Sequence, residues 1–244
     1  NDYNIANKKI LVRADLNVPL ENGKISDISR LISATPTIKT IQSLGGITIL
    51  ISHFGRPNGS YKEELSLNQV VPELEKLLNC PIKFSSELVG KNVIKKIDNL
   101  IGGEILLLEN TRFFAEEEMN DESFSIELSK LGDIFCNDAF SCSHRAHAST
   151  VGVSKLLPNC AGQLMKKEID TLENVLKKPQ KPLTAVVGGA KISTKLNLLL
   201  NLIKKVDYLI IGGGMANTFL FAKGMQIGKS LCEKNLKETS LRII

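Results

Sequence analysis

The chain has 244 residues, 43% hydrophobic and 23% charged, a composition that suits a globular protein with a proper core and one or two domains. Its net charge of +5 contains no long block of like charge, and tryptophan is absent with aromatics at 5%, which argues against a basic nucleic-acid arm or a stacking platform for single strands. No apolar run approaches the roughly 18 residues of a membrane span.

Along the chain, short β-rich runs alternate with amphipathic stretches. Lys9–Arg13 reads as the first strand. A helix is expected from Thr35-Pro36 to Leu44, with threonine as cap, proline in the first turn and Gly45-Gly46 as the stop. Ile47–Ile51 is the next strand. The helix Ser66–Leu78 follows, with Leu67, Val70, Val71, Leu74, Leu77 and Leu78 on one face. Then come a strand at Glu104–Leu108, a helix at Asp121–Leu131 and a strand at Ile134–Cys136. A longer helix spans Ala161–Lys178 and breaks at Lys177-Lys178-Pro179-Gln180-Lys181-Pro182, where two prolines stiffen the chain. Beyond it a strand at Leu183–Val187, a helix at Lys191–Lys204 and a strand at Tyr208–Ile211 repeat the pattern. The strands are rich in Val, Ile and Leu without strict alternation, as strands buried on both faces of a parallel sheet are. The reading is an α/β chain of doubly wound parallel sheets, with domains at 1–160 and 183–244 joined by residues 161–182. Two strands are too few for a self-sufficient second sheet, so that domain is expected to be incomplete here.

Arginine is placed differently from lysine. Lysine supplies 25 of the 31 basic residues, whereas five of the six arginines and all three histidines sit in five islands. These are Val12–Pro19 with Arg13, Asp27–Arg30, His53–Pro57 with Arg56, Glu109–Phe113 with Arg112, and His144–His147 with Arg145. A guanidinium is a planar fork that grips carboxylate or phosphate with two hydrogen bonds, while an ammonium is a point charge. Most of the islands follow candidate strands, and open parallel sheets bind ligands outside the carboxyl ends of their strands. The islands are therefore expected to converge on one anion cradle, with Asp15 and Asn17 adding an acceptor and an amide.

Gly188-Gly189-Ala190-Lys191 sits where a strand meets a helix, with Lys195 one turn on, and Gly212-Gly213-Gly214 repeats the device. Glycines let backbone amides approach phosphate, and lysines add charge. Other signals fail on inspection. Gly224–Ser230 has one residue too few for a P-loop, and no G-x-G-x-x-G with a downstream acid is present. Cys136, Cys142, His144 and His147 match no common zinc spacing, and Arg145 would put a cation among the ligands. The cysteines are five and irregularly spaced, which suits a reducing compartment, and Asn1-Asp2-Tyr3 has no secretory character.

Val12–Pro19, His53–Pro57, Glu109–Phe113, Asn137–Ser149, Gly188–Lys195 and Gly212–Phe219 together resemble the phosphoglycerate kinase family, in its order and spacing across essentially the whole chain. The resemblance implies a hinge-bending cytoplasmic enzyme of glycolysis, nearly twice as long. Its two Rossmann-like domains are joined by a helix, the one ending at Lys178 here. It implies reversible phosphoryl transfer from 1,3-bisphosphoglycerate to ADP, giving 3-phosphoglycerate and ATP. With the islands, it gives a substrate-binding set of Arg13, Asp15, Asn17, Arg30, His53, Phe54, Gly55, Arg56, Arg112, His144 and Arg145. It gives a nucleotide-binding set of Gly188, Gly189, Lys191, Lys195, Gly212, Gly213 and Gly214. Arg30 would contact the transferring phosphoryl group and Lys195 would assist, so these two are the catalytic candidates.

Mg²⁺ is expected only with ATP or ADP, with no metal held by the chain itself and no tightly bound cofactor. The partners expected are small molecules, without nucleic acid or membrane, and the protein is expected to be a monomer. Leu16, Phe54 and Ser141-Cys142-Ser143 depart from the family pattern. The later nucleotide-domain segments, the metal–nucleotide carboxylate among them, are not in these 244 residues. The rival reading is a non-catalytic module that binds a phosphorylated metabolite. A nicotinamide-dependent dehydrogenase is disfavoured by the missing fingerprint.

Overall fold

The computed structural model describes residues 4–177 and 179–244. The chain divides into two compact units, with the boundary between Ile169 and Asp170.

The first unit is built on six strands, β1 (Lys9–Arg13), β4 (Ile47–Ile51), β5 (Lys83–Ser85), β6 (Ile105–Leu108), β7 (Ile134–Asn137) and β8 (Asn159–Ala161); a small antiparallel ribbon, β2 (Leu20–Glu21) and β3 (Lys24–Ile25), lies beside it. The strand order is β5-β6-β4-β1-β7-β8 and every pairing is parallel. Alternate residues of each strand feed two separate cores. Ile10, Val12, Leu50, Leu107 and Ile134 pack with Leu31 and Ile38 of α1 (Ser29–Ser43) and Leu74 of α2 (Val71–Leu78). Leu11, Ile49, Leu106 and Phe135 pack with Val93 of α3 (Lys91–Asp98) and Leu128 of α5 (Glu122–Ser129). Burial on both faces explains why these strands show no polar alternation. Between β6 and α5 lies the short α4 (Ala115–Met119), and α6 (Gln163–Lys177) leaves the unit after β8. The expected end of that helix, Lys178, lies outside the described residues.

Helix α1 starts six residues earlier than the threonine–proline signal suggests, so Thr35 and Pro36 lie inside it. The start is organised by Asp27, whose carboxylate accepts from the Ser29 backbone N–H at 2.8 Å. Proline has no N–H to give the carbonyl four residues back. That carbonyl belongs to Ile32, and the Thr35 hydroxyl donates to it at 2.8 Å. The stretch Ser66–Leu78 divides into a 3₁₀ turn at Leu67–Val70 and then α2, with Ser66 capping the turn through Asn68. Asp121 caps α5 by accepting from Phe124.

The second unit carries β9 (Thr184–Gly188) and β10 (Tyr208–Gly212), which pair in parallel. With them are α7 (Leu196–Leu202), α8 (Gly214–Ala222) and α9 (Lys237–Ile243). The helix expected from Lys191 begins only at Leu196, because a 3₁₀ turn at Ser193–Lys195 intervenes. A small core of Val187, Ile192, Leu199, Met215 and Phe219 forms on one side, while Val186 on the other is 72% exposed.

The Thr35 bond yields a test. Thr35→Val keeps the shape and removes the donor, leaving the Ile32 carbonyl without its partner. The first unit should lose about 1 kcal/mol in urea unfolding; an unchanged midpoint would mean that this bond does not support the proline-containing helix.

Candidate anion-binding site

Four strands of the first unit end side by side, and the loops that follow them carry the arginine islands. Backbone bonds extend the ladder beyond the strands: Ala14 N–H to the Ile51 carbonyl, Thr111 N–H to the Ser52 carbonyl and Asp138 N–H to the Arg13 carbonyl. Four loops far apart in sequence are thereby locked onto one rim.

Arg13, at the end of β1, is only 1% exposed. Its Nε donates to Ser149 Oγ at 3.0 Å, its Nη1 to the Ala14 carbonyl, and its Nη2 lies 3.0 Å from His53 Nδ1. Its fork is engaged with protein, so the structure makes Arg13 the support beneath the cradle and not an open ligand donor. A guanidinium can only donate, so His53 Nδ1 accepts and the ring proton resides on Nε2. Burial, and then the charges of Arg13, Arg112, Arg145 and Arg30, push the His53 pKa down to about 2. His53 is therefore a neutral Nε2–H donor at physiological pH.

Asp15 gathers the next group. Its Oδ1 accepts from Arg30 Nη1 at 3.1 Å and its Oδ2 from Ser141 Oγ at 2.7 Å. Arg30 Nη1 also donates to the Asn17 carbonyl at 2.9 Å, yet its side chain stays 48% exposed. Asn17 Oδ1 accepts from the Gly55 N–H at 2.8 Å, and Arg112 Nη1 donates to the Gly55 carbonyl at 2.9 Å. Gly55 has φ +60°, and a Cβ there would meet Leu65 Cδ2 at 2.7 Å, so the turn between these partners requires glycine. Arg112 is buried, with Glu118 3.1 Å from its Nε but outside hydrogen-bond alignment. Burial and the neighbouring charges of Arg145 and Arg13 lower its pKa, although Glu118 opposes them. Arg145 is half-buried and its Nε donates to Nε2 of the exposed His144 at 3.2 Å. Arg56 is exposed, with no ion pair among the described residues. Phe54 departs from the expected set. Its ring is buried in the core and only its backbone is tied in, through Asn110.

Several members of this arrangement lie outside the expected site set. Glu117 hides in the run Glu116-Glu117-Glu118, which reads as a solvated helix start, yet it is 0% exposed. Both its oxygens receive bonds from Ser149, one from the hydroxyl and one from the backbone N–H. Burial works against its charge, but His147, Arg13 and Ser149 outweigh burial and hold its pKa below the ordinary value. Ser141 and Cys142 also join the rim; Cys142 Sγ is 3.8 Å from His53 Nδ1.

In the second unit, β9 and β10 end at the paired Gly188 and Gly212. Gly213 has φ +69°, and a Cβ on it would lie 2.8 Å from the Gly189 carbonyl oxygen, so only glycine allows the two loops to approach this closely. The Met215 N–H donates to the same carbonyl. Lys195 is half-buried, with Cε 3.1 Å from where a Gly189 Cβ would be, and Lys191 is exposed. Glu233, absent from the expected set, accepts from Ser193, and that hydrogen bond together with the Lys191 charge lowers its pKa.

Fold and rim define an α/β protein with an arginine-rich rim at the carboxyl edge of a parallel sheet. Comparison with known proteins makes this specific. The phosphoglycerate kinase family model matches residues 1–244. Phosphoglycerate kinases of Ruegeria pomeroyi and Bradyrhizobium diazoefficiens are 51% and 53% identical over the whole chain, which spans 61% of their length. The solved phosphoglycerate kinase of Coxiella burnetii superimposes with TM-score 0.85 at 41% identity, over 99% of this chain and 61% of that one. That of Pyrococcus horikoshii gives 0.84 at 31% identity, over 99% and 63%. The chain belongs to the phosphoglycerate kinase family. Among the described residues no helix is long and apolar enough to cross a membrane.

The depressed His53 fixes a pH dependence. The unfolded state takes up a proton near pH 6.5 that the folded state refuses until about pH 2. Stability from this group is complete above pH 6.5 and falls as the pH drops through that window. Between about pH 7 and about pH 5 the protein should lose roughly 1–2 kcal/mol more than His53→Asn. Equal losses, measured by urea titration, would show a ring that titrates normally.

Proposed function

We propose that the protein containing this chain transfers a phosphoryl group reversibly between 1,3-bisphosphoglycerate and ADP, giving 3-phosphoglycerate and ATP. The observation that carries this reading is the rim itself. Arg30, Arg112 and Arg145 stand around a neutral His53, with Asp15 beside Arg30 as the acceptor and Arg56 exposed on the loop that follows His53. A small ligand with phosphate and carboxylate groups matches several forks better than a macromolecule would, and Asp15 or Asn17 suits its hydroxyl. On this reading His53 Nε2–H donates to the ligand without adding charge, and Arg112 and Arg145 hold its phosphate. Arg30, anchored at one nitrogen and otherwise exposed, is the arginine free to meet the transferring group.

The glycine loops and Lys191 and Lys195 of the second unit would take the nucleotide phosphates. Mg²⁺ enters as part of the nucleotide substrate. In-line phosphoryl transfer needs little covalent help from the protein; positioning, charge neutralisation and exclusion of water do most of it. Arginines in one unit and lysines with glycines in the other divide these tasks. We place the protein in the cytoplasm as a monomer; the odd number of cysteines supports a reducing compartment.

In the full-length enzyme, Arg30→Ala should lower kcat by about 10²–10³-fold while the affinity for 3-phosphoglycerate changes much less. Unchanged turnover removes Arg30 from the transfer step. Arg56→Lys and Arg145→Lys should each weaken 3-phosphoglycerate binding by roughly tenfold, the fork being lost while the charge is kept. Isothermal titration measures this directly, with 2-phosphoglycerate as the control ligand, and unaltered affinity shows that charge alone suffices.

A further inference from the structure

Cys136 in β7 and Cys160 in β8 are register partners across a parallel strand pair. Register partners project to the same face of a sheet, and neighbouring strands run about 4.7–4.9 Å apart. That spacing lies within the Cα separation a disulfide bridges, about 4.4–6.8 Å. The Cys160 thiol is near enough to raise the pKa of its register partner Cys136. Both line a cavity of about 420 Å³, whose walls include Ile10, Ile41, Leu44 and Ile134. Cys136 is buried and Cys160 half-buried, so a reagent in the cavity meets Cys160 first. Strand β8 has three residues and lies at the sheet edge, paired only to β7, so it can yield to a contracting bond where a central strand cannot. The neighbouring Cys160 thiol and burial push the Cys136 thiol well above its ordinary range, so the reduced pair gains no stabilisation from a thiolate there.

We propose that Cys136 and Cys160 form a redox-active dithiol, a modification site whose reactant is a low-molecular-weight disulfide. The Cys160 thiolate attacks one sulfur of the reagent; a mixed disulfide forms and one small thiolate leaves, taking up the proton Cys160 gave. The Cys136 sulfur then attacks the Cys160 sulfur as its proton passes to the departing small thiolate, which closes the intramolecular bond and releases the second small thiol. Two cysteines lose two electrons together, and the reagent is reduced to two thiols.

The new bond ties β7 to β8, and β8 runs through Gly162 into α6. Little slack exists there. The Gly162 N–H donates to the Asn137 carbonyl at 2.9 Å, and a Cβ on Gly162 would lie 2.2 Å from Asp138 Oδ1. The pair involves no rim residue and does not rest on the phosphoryl-transfer reading.

The test incubates the whole chain with glutathione disulfide at mildly alkaline pH. Titratable thiols are then counted, and an unreduced digest is mapped by mass spectrometry. Two of the five thiols should disappear, a cross-linked peptide should join Cys136 to Cys160, and dithiothreitol should reverse both changes. Cys136→Ala should stop at the mixed disulfide on Cys160, and Cys160→Ser should give no cross-link. The unsubstituted chain decides the matter even where a variant folds poorly. Five surviving thiols, a mixed disulfide that never resolves, or a bond to Cys80, Cys142 or Cys232 instead would overturn the proposal.

Discussion

A guanidinium buried to 1% exposure has to be neutralised from inside the protein, and the first unit is organised around that demand at Arg13. Its counter-charge is Glu117, reached through Ser149, whose hydroxyl accepts from Arg13 and donates to the carboxylate. The four groups Glu117, Ser149, Arg13 and His53 come from four separate stretches: α4, the loop after β7, the end of β1 and the end of β4. Breaking such a buried pair by removing one partner typically costs about 3–5 kcal/mol, because an uncompensated charge remains. The relay therefore joins the loops more firmly than a set of surface ion pairs would. Its far end sets the chemistry of the rim. Because Arg13 occupies His53 Nδ1, the imidazole can present only an N–H outward.

The rim balances two opposed requirements. An anion site needs uncompensated positive charge, and each added arginine raises the cost of the others. Two devices limit that cost. Histidine stays neutral among the cations, so it donates without repulsion. Glu118 and Asp15 each occupy one nitrogen of a neighbouring arginine, Arg112 and Arg30, which fixes direction without closing the site. Exposure follows the same division. Arg13, whose fork is engaged with protein, is buried; Arg112 is buried with Nη1 and Nε facing protein groups; Arg30 and Arg56 remain open to solvent. A lysine lacks the fixed fork that lets Arg112 meet the Gly55 carbonyl and the Glu118 carboxylate from separate nitrogens.

The sequence made the central strands legible, because buried parallel strands are apolar throughout and end in polar residues. Lys9–Arg13 and Ile47–Ile51 agree residue for residue with β1 and β4. Edge strands were not legible: Lys83–Ser85 and Asn159–Ala161 have three residues each, too few for any periodicity. Thr35-Pro36 imitates a capped helix start inside α1, while the actual anchor, Asp27, precedes a stretch without apolar period. The arginines were visible as residue types, but their division into supporting and open groups was not. Whether Arg13 faces ligand or protein depends on Glu117 and Ser149, which lie more than 100 positions away in sequence and carry no local mark.

Asp138 shows how far the rim's influence reaches within the first unit. It follows β7 directly and is buried, and burial raises its pKa above the ordinary carboxylate value. Its Oδ1 accepts from the Met165 N–H in the first turn of α6, at 3.0 Å. On its other side the chain continues into Ala139–His147, the loop that delivers Ser141 to Asp15 and Arg145 to the rim. Gly162 packs so closely on the same carboxylate that no side chain fits between them. The start of α6 and the root of the ligand loop thus share one buried carboxylate as their joint. A close-packed interior transmits displacement instead of absorbing it, so this joint leaves no soft layer between the loop and the helix start.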